Sequence, residues 1–289
     1  MPERTFIAAC VQMRSGRDPG ANRDAAVAGI REAASRGASY VQTPEMTSLV
    51  ERSRERLFER VTTEDQDATL AGLRQVARET GTLVHIGSIA VRSGDKIANR
   101  AYLIGADGEI LASYDKLHLF DVDLPSGERW RESATYTGGA CAVVASTPWA
   151  MLGLTICYDI RFPALYRSLA EAGAEILTAP ACFTRQTGEA HWHILQRARA
   201  IETGAFVISA AQGGVHEDGR ETFGHSLIVD PWGRVLADAG GSEPGVILAE
   251  IDLAQVADAR ARIPALQHAR AFTVERIGPE VRAAQSARE

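Results

Sequence analysis

Short apolar segments alternate with longer amphipathic segments along most of the chain. We predict that the apolar segments form strands at residues 6–11, 40–43, 83–91, 151–156, 176–179 and 206–210. The segments between them predict helices at residues 22–36, 65–80, 163–172 and 189–203, each followed directly by a glycine, a residue that commonly ends helices. This alternation restricts the chain to a layered α/β fold whose sheet is at least partly parallel.

Two predicted hairpins interrupt the alternation and resemble each other. Residues 101–112 contain LIGADGEILA with an Asp-Gly turn, and residues 226–237 contain LIVDPWGRVLA with an Asp-Pro-x-Gly turn. We interpret the similarity as a weak internal repeat, in which each half supplies one sheet with helices on one side. Two such sheets packed face to face form a four-layer α-β-β-α sandwich.

The two halves are not separated by a linker rich in proline and serine or by a low-complexity segment. We therefore predict a single domain over residues 1–289, with a core at about 4–254 and a C-terminal helix and tail at 255–289. In the helix predicted at 189–203, Ile194, Ala198 and Ile201 recur at helical spacing, which predicts that they belong to the core.

Composition excludes several classes of protein. The 289 residues are 45% hydrophobic and 24% charged, which is typical of a globular protein with a substantial core. The net charge of -6 argues against nucleic acid as a partner. Four dispersed cysteines form neither a disulfide framework nor a zinc pattern, so we expect reduced thiols in the cytoplasm. We find no secretory leader and no apolar run that could span a membrane.

Cys157 is the first candidate for chemistry. It follows the strand predicted at 151–156, and Pro163 can begin a helix six residues later. A thiol between a strand and a helix lies where α/β proteins place reactive groups, and the N–H groups of such a turn can stabilise an anion. The alternative is that Cys157 packs as a small hydrophobic residue of the core.

A cysteine nucleophile needs a base and a group that stabilises the oxyanion. None of the seven histidines lies in a recognisable cysteine-protease pattern, so we consider a carboxylate and an ammonium group instead. Glu45 follows the strand predicted at 40–43, and Lys116 follows the first hairpin. Each of them taken singly would more commonly be a solvated surface residue.

The three residues lie in the motifs TPEM, YDKLHLF and CYDIRFP, which together resemble the nitrilase (carbon–nitrogen hydrolase) superfamily. The resemblance implies a Glu-Lys-Cys triad, with Glu45 as general base, Lys116 as oxyanion donor and Cys157 as nucleophile. It also implies a supporting glutamate, for which Glu132 is our candidate and Glu128 the rival. We expect Lys116 to lower the pKa of the Cys157 thiol and burial to raise the pKa of Glu45.

Three longer segments, CYDIRFPALYR, HWHILQRARAIET and FGHSLIVDPWG, look like the branch that contains deaminated glutathione amidase and ω-amidase. This resemblance implies hydrolysis of the terminal amide of a small carboxylate-bearing substrate through a cysteine thioester. It implies no metal or organic cofactor, and a homo-oligomer, a dimer or larger. The alternatives are an N-carbamoyl-amino-acid hydrolase, a nitrilase, or a catalytically silent homologue that binds a small molecule or a protein.

Substrate contacts are expected from the loops that follow the strands. Arg161, Thr184 and Arg185 are candidates to bind a substrate carboxylate, since an arginine pairs with a carboxylate through two hydrogen bonds. Arg161 has an alternative role in holding a helix or a dimer contact. The remaining candidates for the pocket wall are Phe183, Thr187 and Tyr158, and the N–H of Tyr158 is a candidate oxyanion donor. The pair His191 and His193 is not expected to bind a metal, because residues two apart on a helix point in different directions.

Overall fold

The computed structural model describes residues 4–124 and 127–275. The strands are β1 Thr5–Gln12, β2 Tyr40–Gln42, β3 Leu83–Ser93, β4 Lys96–Ile104, β5 Ile110–Asp115, β6 Asp121–Asp123, β7 Arg129–Arg131, β8 Tyr136–Thr137, β9 Val143–Ser146, β10 Met151–Leu154, β11 Ile176–Thr178, β12 Phe206–Ser209, β13 Gly213–Val215, β14 Glu221–Phe223, β15 Leu227–Val229, β16 Val235–Asp238 and β17 Gly245–Asp252. The helices are α1 Pro19–Ser35, α2 Arg54–Arg60, α3 Ala68–Thr80, α4 Pro163–Glu171, α5 Arg185–Thr203 and α6 Ala254–Arg262.

Two large sheets organise the fold. The first sheet has the order β17-β1-β2-β3-β4-β5, with β8 beside β4, and the second has the order β16-β15-β12-β11-β10-β9. The strands β1, β2 and β3 are parallel, as are β10, β11 and β12, and the flanking strands are antiparallel. Each sheet therefore has a parallel centre whose strands end at a common edge.

The alternation of side chains along β1 shows how the layers pack. Ala8 and Cys10 belong to the hydrophobic cluster between the two sheets, whereas Ala9 and Val11 belong to a second cluster under α1 and α3. On the far side, α4 and α5 cover β10, β11 and β12. A strand directs successive residues to opposite faces, so one strand serves both clusters. The predicted four-layer α-β-β-α sandwich is confirmed.

Local chemistry explains where the helices begin. The side chain of Asp18 accepts hydrogen bonds from Gly20 N and Ala21 N, and Asp67 accepts one from Leu70 N. Such capping satisfies N–H groups that the first helical turn leaves unpaired. Because of the Asp18 cap, α1 begins at Pro19 rather than at the predicted residue 22. The helix α5 also begins earlier than predicted, at Arg185.

The sequence prediction was wrong about one face of α5. Ile194 and Ile201 are 69% and 53% exposed, and Ala198 is half-buried. The inward face of α5 instead carries the buried residues Thr187, Gly188, Trp192, Gln196, Arg199, Ala200 and Thr203. The helical spacing was correctly recognised, but two different rows of residues on α5 have that spacing, and spacing alone does not say which row faces the core.

Residues 255–289 were predicted as a C-terminal helix and tail. The structure has α6 at Ala254–Arg262, after the strand β17 that pairs antiparallel with β1. The last part of the predicted tail, 276–289, lies outside the described residues, as do residues 1–3 and 125–126 of the predicted domain. Within the described part of the chain, every helix is too short or too polar to cross a lipid bilayer.

Gly87 in β3 lies where the two sheets approach each other. A Cβ atom at this position would be 2.2 Å from Thr43 O and 2.4 Å from Pro180 Cβ. Thr43 belongs to the segment that leads to Glu45, and Pro180 follows β11 of the other sheet. Only a glycine lets these main chains come so close without displacement.

We therefore expect Gly87→Ala to lower the free energy of unfolding by about 1–3 kcal/mol, since an inserted methyl group overpacks the contact. Urea unfolding measures the change. Gly245→Ala is the matched control in another strand, because a Cβ atom there meets nothing within 4 Å. Equal stability of the two variants would contradict the close approach described for Gly87.

Candidate active site

A buried ammonium group lies between two carboxylates where the predicted triad residues meet. The Nζ atom of Lys116, which follows β5, donates to Glu45 Oε1 at 2.8 Å and to both Glu132 oxygens at 3.1 and 2.9 Å. The side chains of Lys116 and Glu45 are only 3% and 5% exposed. At such burial an unpaired charge would be very costly, so the three groups stabilise one another in their ionised forms.

Cys157 follows the strand β10 of the second sheet after two further residues, Thr155 and Ile156. Its φ angle is +48°, a left-handed conformation uncommon outside glycine, and its N–H donates to Pro180 O at 2.9 Å. The thiol lies beside the Glu45 carboxylate and the N–H of Cys182, and both of these groups influence its pKa. Among the described residues, the N–H of Tyr158 makes no hydrogen bond, so it is available to an incoming group.

Glu45 is held from both sheets. It follows β2 of the first sheet, and its Oε2 atom accepts the N–H of Cys182, which follows β11 of the second sheet, at 2.8 Å. The carboxyl ends of β2, β10 and β11 thus supply Glu45, Cys157 and Cys182 to one cleft. This is the edge at which open α/β sheets generally bind ligands.

The turn at Cys157 is fixed by a buried aspartate. Asp159 accepts hydrogen bonds from Ile156 N at 2.9 Å and from the Tyr114 hydroxyl at 2.7 Å. It also accepts His118 N at 3.1 Å, and His118 Nδ1 lies 2.7 Å from the same carboxylate. Because Tyr114 and His118 flank Lys116, Asp159 couples the segment of the ammonium group to the segment of the thiol.

Asn99 in β4 is a site residue that the sequence reasoning missed. Its side chain is buried, and Nδ2 donates to Glu45 Oε1 at 2.9 Å and to Glu132 Oε1 at 3.3 Å. Its main-chain oxygen accepts the N–H of Lys116 at 3.0 Å. An asparagine between the apolar residues of a predicted hairpin region was the available signal, because such a residue needs polar partners when it is buried.

The structure separates the two candidate supporting acids. Glu132 contacts Lys116 and also accepts the N–H of Phe120 at 2.6 Å. Glu128 instead pairs with Arg52 at 2.7 Å, and its side chain is 32% exposed. Of the two, Glu132 is therefore the acid that lies against the buried ammonium group.

The charges of the site shift the pKa values of its members. Burial alone would raise the pKa of Glu45, but Lys116 and the hydrogen bonds from Lys116, Cys157 and Asn99 hold it below the ordinary 4.5. Burial and the Glu45 carboxylate raise the pKa of the Cys157 thiol well above 9.0, although Lys116 opposes them. Burial would lower the pKa of Lys116, but Glu132 and Glu45 raise it well above 10.5.

The two effects expected from the sequence are present, since Lys116 lowers the pKa of Cys157 and burial raises the pKa of Glu45. In each case other groups outweigh the expected effect, and the net pKa shift has the opposite direction. At neutral pH the site accordingly contains a neutral thiol beside a carboxylate that is ready to accept its proton. It differs from cysteine sites in which a histidine is already protonated and the sulfur is already a thiolate before the substrate binds.

A cavity of about 270 Å³ opens above the thiol. Four of the predicted contact residues line it, namely Tyr158, Phe183, Thr184 and Thr187. Arg185 lies elsewhere and pairs with Glu189 at 3.0 Å on the surface.

Arg161 is also outside the cavity wall. Its guanidinium group lies 5.1 Å from the ring centre of Phe183, and its Nη1 atom is 3.2 Å from His191 Nδ1. It therefore packs behind Phe183, which does line the cavity.

Two arginines that the sequence reasoning missed line the cavity together with Trp130. The guanidinium groups of Arg52 and Arg220 lie 4.6 and 4.4 Å from the ring centre of Trp130. The Nε atom of Arg220 is buried without a hydrogen-bond partner, and Asp218 is 4.0 Å away. Arg52 and Arg220 come from two separate loops and Trp130 comes from β7, and no local sequence pattern marks the three residues as neighbours.

Comparison with known proteins agrees with this geometry. The profile of the family described as carbon-nitrogen hydrolase matches residues 7–261. A deaminated glutathione amidase of Synechocystis sp. is 40% identical over 271 residues, which cover 92% of this chain and 98% of the relative. The crystal structure of the C. elegans NitFhit protein has a TM-score of 0.85 and 34% identity, and the match covers 93% of this chain and 66% of that longer chain.

A further solved structure is a mutant amidase from Nesterenkonia sp. AN1, with a TM-score of 0.76 and 27% identity over 90% of this chain and 95% of that chain. It shows covalent addition of the acetamide moiety of fluoroacetamide at the active site cysteine of that protein. The resemblance inferred from the three sequence motifs is confirmed. The chain belongs to the carbon–nitrogen hydrolase family.

Proposed function

We propose that this protein is an amidase that hydrolyses the terminal amide of a small carboxylate-bearing molecule, through a thioester on Cys157. The observation that carries the proposal is the contact of one buried carboxylate, Glu45, with both an ammonium group and a thiol. The family membership and the relatives named as amidases support amide hydrolysis. A relative that is named deaminated glutathione amidase supports a substrate of the deaminated glutathione or α-keto ω-amide type.

In the first half of the reaction, Glu45 accepts the proton of the Cys157 thiol as the sulfur attacks the amide carbon. The oxyanion receives hydrogen bonds from the Lys116 ammonium group and from the N–H of Tyr158. A single donor of this kind contributes about 3–4 kcal/mol in well-characterised hydrolases. Glu45 then transfers the proton to the leaving nitrogen, ammonia departs, and the acyl group remains on the sulfur as a thioester.

In the second half, Glu45 accepts a proton from water, and the oxygen of that water attacks the thioester carbon. The same two donors stabilise the second tetrahedral intermediate. When it collapses, the carbon–sulfur bond breaks, the proton returns from Glu45 to the sulfur, and the carboxylic acid leaves. Glu132 hydrogen-bonds Lys116 and Asn99 hydrogen-bonds Glu45, and we assign them the task of holding these two groups in position.

The charge of the cavity wall supports an anionic substrate. Five arginines line it, and they are Arg52, Arg54, Arg129, Arg131 and Arg220. Arg220 is the strongest candidate to bind the substrate carboxylate, since it packs on Trp130 and its buried Nε lacks a partner. A desolvated arginine with an unused donor gains more from a carboxylate than an exposed one does.

Further properties complete the proposal. One domain carries the whole site, the enzyme works in the cytoplasm without a metal or organic cofactor in the reaction, and it forms a homodimer or a larger homo-oligomer. The exposed side chains of Ile194, Ile201 and Trp232, at 69%, 53% and 51%, support a protein–protein contact along α5. Analytical ultracentrifugation of the purified chain tests the assembly.

The rival functions give different products. An N-carbamoyl-amino-acid hydrolase would release carbon dioxide together with ammonia, and a nitrilase would consume a nitrile, whereas the proposed amidase needs only an ω-amide and water. A catalytically silent homologue would bind these molecules without turnover. Ammonia release from a panel of α-keto ω-amides, including deaminated glutathione, and from carbamoyl amino acids and nitriles separates these outcomes.

Covalent catalysis predicts an acyl adduct on one cysteine. Brief mixing with substrate followed by acid quenching should show, by intact-mass and peptide mass spectrometry, an acyl group on Cys157. Cys157→Ala should lose both the adduct and the activity, whereas Cys141→Ala, at an exposed cysteine away from the cavity, should retain both. An adduct on Cys182, which also lines the cavity, would contradict the assignment of the nucleophile.

The pKa shifts predict an unusually flat pH profile for kcat/KM. Activity requires an ionised Glu45, whose pKa is below 4.5, together with a protonated thiol and a protonated Lys116, whose pKa values are above 9.0 and 10.5. Activity should therefore fall only as the pH drops below 4.5 or rises above 9.0. A rise in kcat/KM with an apparent pKa between 6 and 8, roughly the range of an activated thiol or a histidine, would argue against this assignment.

The role of Arg220 predicts a selective effect on KM. Arg220→Gln should raise KM for a carboxylate-bearing amide by about ten- to a hundredfold, because a charge-assisted hydrogen bond contributes about 1.5–3 kcal/mol. The KM for a neutral amide of similar size should stay the same. Arg131→Gln is the matched control, since Asp123 already pairs with Arg131 at 2.9 Å. Equal losses for charged and neutral amides would assign Arg220 to structure rather than to specificity.

A further inference from the structure

Two histidines and an aspartate converge on the surface near the end of the second sheet. His193 lies on α5, His225 precedes β15, and Asp238 ends β16. His193 Nε2 is 2.9 Å from Asp238 Oδ2, and His225 Nδ1 is 2.9 Å from Asp238 Oδ1. One ligand atom from each residue lies within 4.8 Å of the others.

We propose that these three side chains form a binding site for a divalent transition metal ion, with Zn²⁺ as the best match. Two imidazole nitrogens and one carboxylate oxygen are a ligand set that zinc commonly accepts, with a fourth position left for water. Bonds of about 2.0–2.1 Å in a tetrahedral site place neighbouring ligand atoms about 3.3 Å apart. The two nitrogen–oxygen separations of 2.9 Å need a small outward movement, and the two imidazole nitrogens lie within 4.8 Å of each other.

The main chain around the site holds two of the ligands in place. His225 has a φ angle of +53°, its N–H donates to Gly240 O at 2.7 Å, and its carbonyl accepts Trp192 Nε1 at 2.8 Å. Asp238 in turn accepts the N–H of Gly240 at 2.9 Å. A constrained non-glycine residue in the left-handed region is often a sign of a functional requirement, since the conformation costs free energy.

An aromatic neighbour orients the two imidazole rings. Phe223 stacks on His225 at a centroid distance of 4.4 Å and meets the edge of His193 at 5.9 Å. The two rings therefore have little freedom to turn away from Asp238. Fixed ring orientations reduce the entropy that metal binding must overcome, as hydrogen-bonded partners do in known sites.

The site is open enough for an ion to enter. The side chains of His193, His225 and Asp238 are 37%, 26% and 31% exposed, and His225 also lines a surface cavity of about 490 Å³. Each neutral imidazole would bind the ion through the nitrogen that now faces the carboxylate, and its single ring proton would be carried by the other nitrogen. The ion would then link α5, β16 and the segment after β14.

This site is independent of the proposed amidase reaction. His193, His225 and Asp238 do not line the cavity above Cys157. His191 lies against Arg161 and His193 against Asp238, so the two histidines of α5 do not meet at this site. The ligand set comes from residues far apart in the sequence, which the spacing of the two helix histidines could not reveal.

Titration of the purified full-length protein with Zn²⁺ alone, by calorimetry and by competition with a chromophoric chelator, tests the proposal. We expect one equivalent to bind and the unfolding temperature to rise as the ion saturates the folded state. His225→Asn and Asp238→Asn should each weaken that binding at least about tenfold, the loss typical even of outer partners of a metal site. Asparagine tolerates the positive φ angle of His225, which protects the fold.

His191→Gln, on the same helix, is the matched control and should bind Zn²⁺ like the parent protein. Co²⁺ as a second probe reports the ligand type, because a thiolate charge-transfer band would place the metal on a cysteine such as Cys157 or Cys182. Absence of saturable binding would overturn the proposal, and the three side chains would then form a hydrogen-bonded cluster only. Binding that survives both His225→Asn and Asp238→Asn, or that carries the thiolate band, would overturn it as well.

Discussion

The cluster of one ammonium group and two carboxylates at the centre of the cleft constrains the rest of the structure. Removing Lys116 and the glutamates Glu45 and Glu132 from water is expensive, and the cost is offset only if every charge has close partners. Asn99, the N–H of Cys182 and the N–H of Phe120 supply the additional hydrogen bonds. The loops after β2, β5 and β11 must therefore meet at one point for the chain to fold.

The same cluster gives the site its chemical asymmetry. Within one hydrogen-bonded group, the carboxylate is stabilised in its charged form and the thiol in its neutral form. In the proposed mechanism, attack by the sulfur and transfer of its proton can then occur together, and no thiolate persists between turnovers. The protonation state of each group therefore depends on the relative positions of Glu45, Lys116 and Cys157 rather than on any one of them.

Much of this arrangement was predictable from the sequence, for identifiable reasons. The strands β2, β10 and β12 are short, mostly apolar runs, and Glu45 and Cys157 follow β2 and β10 within a few residues in recognisable motifs. The strand β17 was not predicted, since it begins at a glycine and pairs with β1 from the far end of the chain. Asn99 and Arg220 were missed because an asparagine in a strand and an arginine in a turn acquire their roles only when distant segments meet.

Glu45 is also the point at which the two sheets are tied together by a polar group. Its main chain belongs to the first sheet, while its carboxylate accepts an N–H that follows a strand of the second. A small sliding of one sheet over the other would therefore displace the Glu45 carboxylate from the sulfur before either sheet lost its own pairing. If Glu45 acts as proposed, turnover reports the relative position of the two sheets more sensitively than a measurement of secondary structure does.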